Sequence, residues 1–287
     1  MKVFWWSPTR SLRTLASEAL SHANAWARNA LANRGRIYNF GDEVTPLILR
    51  ELTGSPVRWS PPGRADVFAI GSILDIYGRR AGDGARIFGS GVRGGTWEHD
   101  PIRPDAACAV RGHLTRSLLG LPEATPLGDP GLAIREFDVR VARGRRPLVI
   151  PHMTTLGSGQ GRATVASLRA EGFDVVLPNA NAMEVARAIA SASYLVTASL
   201  HGLVFANALG IPAVLSTLDS DRTEPKFKYD DYLSVFGREA EFFDVSDPAV
   251  LAMSGPAAER READASEIAA QVPAIVAGLR DAARTLL

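Results

Sequence analysis

Tyr194-Leu195-Val196-Thr197-Ala198-Ser199-Leu200-His201-Gly202-Leu203-Val204-Phe205-Ala206-Asn207-Ala208-Leu209-Gly210-Ile211-Pro212 decides the fold of this chain. Its first five residues form a short, β-rich apolar run that reads as a buried strand. Residues 203–209 read as a buried helix that Gly210 stops, and residues 211–215 open the next strand. A polar Ser-x-His-Gly therefore falls where a strand hands over to a helix. In an open α/β sheet, ligands bind outside the carboxyl ends of the strands, at such junctions. Free backbone N–H groups and the helix dipole favour an anion there.

Similar apolar runs lie to both sides. One series comprises residues 3–6, 67–71, 86–89 and 107–110; a second comprises 148–151, 175–177, 195–197 and 213–215. These are continuous short runs rather than strict alternation, as buried parallel strands are. Helical patterns separate several of them. Residues 42–52 read as a helix with Asp42 as N-cap, Pro46 in the first turn and Gly54 at the end. Residues 161–170 end towards Gly172 in the same way, and residues 181–191 start from a cap at Asn179 or Asn181. Alternating strands and helices predict an α/β fold built from two Rossmann-like domains with parallel sheets. The turn Gly128-Asp129-Pro130-Gly131 and the charged run 140–146 suggest a division into residues 1–130 and 131–287. The tail, residues 257–287, reads as one or two helices that return to the first domain. Residues 7–37 read either as a helix over 11–32 or as a mobile loop.

The chain has 287 residues, with 32 Lys and Arg against 31 Asp and Glu, a net charge of +1. That balance gives no electrostatic reason for nucleic acid or an acidic membrane as partner. One cysteine, Cys108, excludes an internal disulfide and a cysteine-only zinc site. No apolar run reaches the length of a membrane span. The expectation is a soluble cytoplasmic protein, with peripheral contact at the membrane's inner face left open.

Several residues are candidates for chemistry. His201 is the first, as a proton carrier at the strand–helix junction, with Gly202 admitting a ligand to the backbone. The alternative makes Ser199 a cap, Gly202 a packing residue and His201 a surface imidazole. Asp42, in Asn39-Phe40-Gly41-Asp42, reads as a base or a hydroxyl acceptor, or merely as a cap. Arg111 follows an apolar strand and has the fork geometry for a carboxylate or phosphate, unless an acid pairs it. His152 follows the strand over 148–151, and Lys226 and Lys228 follow the strand after the His-Gly helix. The glycine-rich Gly89-Ser90-Gly91-Val92-Arg93-Gly94-Gly95 lacks the spacing of a phosphate-binding loop or dinucleotide fingerprint. No His, Asp and Glu grouping has metal-ligand spacing.

These segments, in this order, resemble the polysaccharide pyruvyltransferase family, and within it the bacterial branch that places ketal pyruvate on exopolysaccharide units. The matching pieces are Asn39-Phe40-Gly41-Asp42-Glu43, Ala69-Ile70-Gly71-Ser72, Phe88-Gly89-Ser90-Gly91, Arg111-Gly112, Leu127-Gly128-Asp129-Pro130, Pro151-His152, Ser199-Leu200-His201-Gly202 and Lys226-Phe227-Lys228-Tyr229. The resemblance implies a fold like that of GT-B glycosyltransferases, with the active site in the interdomain cleft. It implies phosphoenolpyruvate as co-substrate with no separate cofactor, and as acceptor a sugar, free or lipid-linked, with two suitable hydroxyls. Under it, His201 is the general acid and Asp42 assists. Arg111, Ser199, Gly202 and Lys226 or Lys228 hold the donor, while Asn39 and His152 face the acceptor. The competing expectation is a glycosyltransferase of the same fold using a nucleotide-sugar. Many retaining enzymes of that kind carry an acid just after the donor loop, and residues 203–209 contain none.

Overall fold

The computed structural model describes residues 1–7, 10, 38–139, 141–219, 224–245 and 255–287. Most of residues 7–37, read above as a helix or loop, lie outside them. In chain order the regular elements are β1 (Lys2–Phe4), α1 (Phe40–Glu43), α2 (Thr45–Thr53), β2 (Arg58–Trp59), β3 (Val67–Ala69), α3 (Leu74–Arg80), β4 (Arg86–Ser90), β5 (Ala107–Val110) and α4 (His113–Leu118). There follow β6 (Leu148–Ile150), α5 (Gly159–Ala170), β7 (Asp174–Val175), α6 (Ala182–Ser191), β8 (Leu195–Thr197), α7 (Leu200–Leu209), β9 (Ala213–Ser216), α8 (Phe227–Ser234), β10 (Phe242–Phe243) and α9 (Pro256–Ala283).

The strands form two five-stranded sheets, ordered β2-β1-β3-β4-β5 and β10-β9-β8-β6-β7. Every pairing within them is parallel. Counted from its own first strand, each sheet has the same order, 2-1-3-4-5. In such a sheet the order reverses between the first and third strands, and the crevice there is the expected binding place. The switch points are β1/β3 in the first sheet and β6/β8 in the second.

Local sequence explains the elements that matter for function. Ser199 has extended backbone and its Oγ accepts from the Gly202 N–H, so α7 begins at Leu200, three residues earlier than its apolar run suggests. Gly210 ends it with φ 68°, the left-handed region that glycine enters freely. Residues from Leu200 to Ala208 are all buried, because the helix is covered on every side. The cap read at Asp42 is corrected: Asn39 is the N-cap of α1, accepting from the Gly41 N–H, and Asp42 lies inside the first turn. Pro46 and Gly54 bound α2. The long helix α9 packs its Ile268, Val272, Val276 and Leu279 into the main core, and Arg280 reaches the Glu51 carbonyl of α2 at 3.2 Å. Among the described residues no helix is long and apolar enough to cross a membrane.

Candidate active site

A cavity of about 300 Å³ receives residues from both switch points. Trp6 follows β1, and Gly71 and Ser72 follow β3; His152 follows β6, and Ser199 and His201 follow β8. Asn39, Asp42, Arg93, Glu224 and Lys228 also line it, with Asp75, Arg79 and Thr154 among the other charged and polar groups. The structure thus brings together Asn39, Asp42, His152, Ser199, His201 and Lys228 of the sequence candidates. Gly202, Arg111 and Lys226 are outside this lining.

His201 sits in the first turn of α7, 5% exposed. Its ring lies against Gly41, where any Cβ would collide with Nδ1, Cγ and Cβ of the imidazole. On the opposite edge, Nε2 lies 3.8 Å from Oδ2 of Asp129. Both atoms are buried without a hydrogen-bond partner among the described residues. Asp129 itself is fully buried; its Oδ1 accepts from the Gly131 N–H at 2.8 Å, capping the 3₁₀ turn Pro130–Glu136. Burial, reinforced by the charges of Arg111 and Lys228, pushes the His201 imidazole down to about 3. Burial pushes the Asp129 carboxyl up to about 6, against the Gly131 hydrogen bond and Arg111.

Asp42 faces the same space. Its Oδ2 accepts from Asn39 Nδ2 at 2.7 Å, and the absence of a side chain at Gly71 (φ 92°) leaves room for its Oδ1. Burial lifts this carboxyl to about 8, outweighing the Asn39 bond. That shift favours the protonated, hydrogen-bonding form of Asp42 at neutral pH. The Phe40 N–H donates to the Pro178 carbonyl at 2.8 Å, which ties this turn to the loop after β7.

Lys228 and Lys226, equivalent in the sequence, separate in the structure. Lys228 is 6% exposed and donates to Glu224 at 2.8 Å inside the cavity. Lys226 is half-exposed, pairs with Asp230, and borders a neighbouring cavity instead. Glu224 is the point where cations converge. It accepts from Lys228, receives Arg93 at 2.9 Å, and lies 3.6 Å from His152 Nε2. Burial alone would raise Glu224, but His152, Lys228 and Arg93 hold it down at about 2. His152 is pushed down to about 4 by burial and Lys228, so it is neutral at pH 7, with Nδ1 2.8 Å from Thr154 Oγ1.

Two expectations change. Arg111 is buried completely and spends its guanidinium on protein: Nε donates to Asp231 Oδ2 (2.9 Å), Nη1 to Ser72 Oγ (2.5 Å) and Nη2 to the Val92 carbonyl (2.7 Å). Instead of offering a fork to a ligand, it anchors Ser72 at the cavity wall and lends the site its charge. Gly202 is needed for packing, since a Cβ there would lie 2.7 Å from Thr197 Oγ1. Its N–H is taken by Ser199, leaving the first-turn N–H groups of Leu200 and His201 for an anion. Asp129, Glu224 and Arg93 were missed as site residues. Glu224 lies four residues before Lys228, the one sequence signal that pairs them.

Residues 103–220 match the family described as polysaccharide pyruvyl transferase. The match bears out the family resemblance read from the sequence, and the matched stretch contains Asp129, His152, Ser199 and His201. The chain is also 30% identical over 121 residues to an uncharacterized protein of Acanthamoeba polyphaga mimivirus. That similarity covers 40% of this chain and 41% of the viral protein, less than half of either.

Proposed function

We propose that this protein transfers the pyruvyl group of phosphoenolpyruvate to two hydroxyls of a sugar in a cell-surface or exopolysaccharide unit, forming a pyruvate ketal. The observation that carries the reading is the single cavity where His201, Lys228 and Asp42 meet, in a chain whose residues 103–220 match the pyruvyl transferase family. The two sheets then act as the two domains of a GT-B-like enzyme, residues 1–130 and 131–287, with the cavity as the cleft between them and the cytoplasm as its setting.

Phosphoenolpyruvate is a small polyanion without an apolar handle, so its site needs cations and N–H donors. Lys228, Arg93 and the first turn of α7 supply them. The terminal methylene takes a proton from His201, which makes the central carbon electrophilic. A sugar hydroxyl adds there and returns its proton to His201. Phosphate then departs with the proton of the second hydroxyl, which closes the ketal. His201 is neutral in the resting site; the arriving anion favours its charged form and raises its proton affinity. Asp42, held neutral by burial, orients a sugar hydroxyl beside Asn39, with His152 on the opposite wall.

The test is a thermal-shift titration with phosphoenolpyruvate beside UDP, GDP and CMP, since a ligand that binds the native state raises its melting temperature. A rise with phosphoenolpyruvate alone, lost in Lys228→Ala and kept in His201→Ala, is expected. In a panel of glycosides with neighbouring hydroxyl pairs, His201→Ala should release no phosphate above background. A rise with a nucleotide and none with phosphoenolpyruvate would overturn the proposal in favour of nucleotide-sugar chemistry.

A further inference from the structure

We infer that Asp129 is the positioning residue of His201: it holds the Nε2–H edge of the imidazole and so presents Nδ1 to the cavity as the proton-carrying nitrogen. The argument starts from two orphaned atoms. Nε2 of His201 and Oδ2 of Asp129 are buried without partners among the described residues, and they face one another at 3.8 Å. An unmet donor and an unmet acceptor in one buried place each cost free energy, and a small rotation of either side chain satisfies both. Asp129 is held for this purpose. Its Oδ1 is fixed on the Gly131 N–H, which leaves only Oδ2 to turn towards the ring. The opposite edge of the imidazole, with Nδ1, lies against Gly41, whose missing side chain gives the ring its place at the cavity wall. One nitrogen thus faces a carboxylate, and the other lies on the side of the turn that carries Asn39 and Asp42.

The charged and titratable groups around the ring are Asp129, Arg111, Lys228 and Asp42. The two cations oppose a proton on His201, and neutral Asp42 adds no charge. Among the described residues, Asp129 is the carboxylate that faces the ring, at 3.8 Å, and it compensates the imidazolium. Its carboxylate stays ionised while the ring gains a proton at Nδ1, gives it to the methylene and takes one back from the sugar hydroxyl. This role in catalysis rests on the pyruvyl-transfer reading; the choice of tautomer does not.

The test separates the two. Full-length protein labelled with ¹⁵N-histidine, with the His201 signal assigned by its loss in His201→Gln, reports which ring nitrogen carries the proton at pH 7.5. We expect Nε2–H in the wild type. Asp129→Asn keeps the cap to Gly131 but can place an amide donor against Nε2, so the proton should move to Nδ1. A wild-type ring protonated on Nδ1, or an unchanged tautomer in folded Asp129→Asn, would overturn the inference. The wild-type spectrum alone decides the first point if the variant does not fold. Phosphate release should fall about 10²-fold or more in Asp129→Asn, by analogy with the loss of a correctly oriented acid. The affinity for phosphoenolpyruvate should stay within about twofold, because the substitution acts on proton transfer rather than on ground-state binding. Added to His201→Gln it should cost nothing further. If phosphoenolpyruvate neither binds nor reacts with the wild type, the pyruvyl-transfer reading fails while the tautomer result stands.

Discussion

Replacing Asp231 by Asn is the substitution whose cost the structure defines best. Asp231 and Arg111 are paired with no side-chain exposure on either partner. Asp231 also accepts from the Thr115 N–H at 2.6 Å and Thr115 Oγ1 at 2.7 Å. An Asn can keep the bond to the Thr115 N–H, but its amide then points two hydrogens at Arg111 Nε and Thr115 Oγ1. Arg111 is left as a buried cation whose remaining acceptors among the described residues are Ser72 and the Val92 carbonyl. Breaking a buried pair from one side costs about 3–5 kcal/mol. At about 2–4 °C per kcal/mol for a domain of this general size, the melting temperature should fall by about 6–20 °C. Thermal scans by circular dichroism at one pH measure this directly. The double variant Arg111→Met with Asp231→Leu removes both charges and should recover most of the loss, as apolar replacements of buried pairs do. A drop of less than about 2 °C in Asp231→Asn would refute the reasoning, because it would mean that water reaches the guanidinium.

Three further outcomes are expected. Gly41→Ala should abolish phosphate release from phosphoenolpyruvate, because its methyl needs the volume of the His201 ring; activity within twofold of the wild type would show that the ring is free to move. Glu224→Gln should tighten phosphoenolpyruvate binding by about tenfold, about 1.4 kcal/mol, by removing a carboxylate that competes for Lys228 and Arg93, and isothermal titration reads it. Weaker binding would mean that Glu224 holds the cations in place for the donor. Asp42→Asn should stabilise the protein increasingly as pH rises from about 4 to about 8. In that window the unfolded Asp42 has lost its proton while the folded one keeps it, so wild-type stability falls with pH and the variant escapes the fall. Parallel melting curves across pH 5, 6.5 and 8 would exclude it.

The sequence is most informative where one segment carries both a strand and its exit. The bounds read for the strands at Ala107–Val110 and Leu195–Thr197 hold to the residue. The two-residue edge strands Arg58–Trp59 and Phe242–Phe243 are too short for any periodicity and were not read. Ser-x-His-Gly announces its histidine, because a polar group amid an apolar strand and helix has few structural reasons to be there. Asp129 gave no such signal: Gly-Asp-Pro-Gly reads as a turn whether or not its carboxylate faces a ring 72 positions later. Arg111 shows the same limit in reverse. An arginine after a buried strand looks like a ligand anchor until the fold supplies Asp231, 120 residues away, as its partner. Contacts of that span leave no trace in local pattern.

The long C-terminal helix has a consequence for how the chain is made. Leu279 and Ala283, near its end, are fully buried in the core that also holds Leu49 and Leu52 of α2, and Ile275 and Leu279 sit against Gly128. The first sheet therefore cannot be sealed when its own strands leave the ribosome. Between residues 130 and 283, at about 5–20 residues per second, synthesis takes roughly 8–30 s. Throughout that interval the nascent chain carries an open apolar face on α2. That is the surface a chaperone would bind during synthesis.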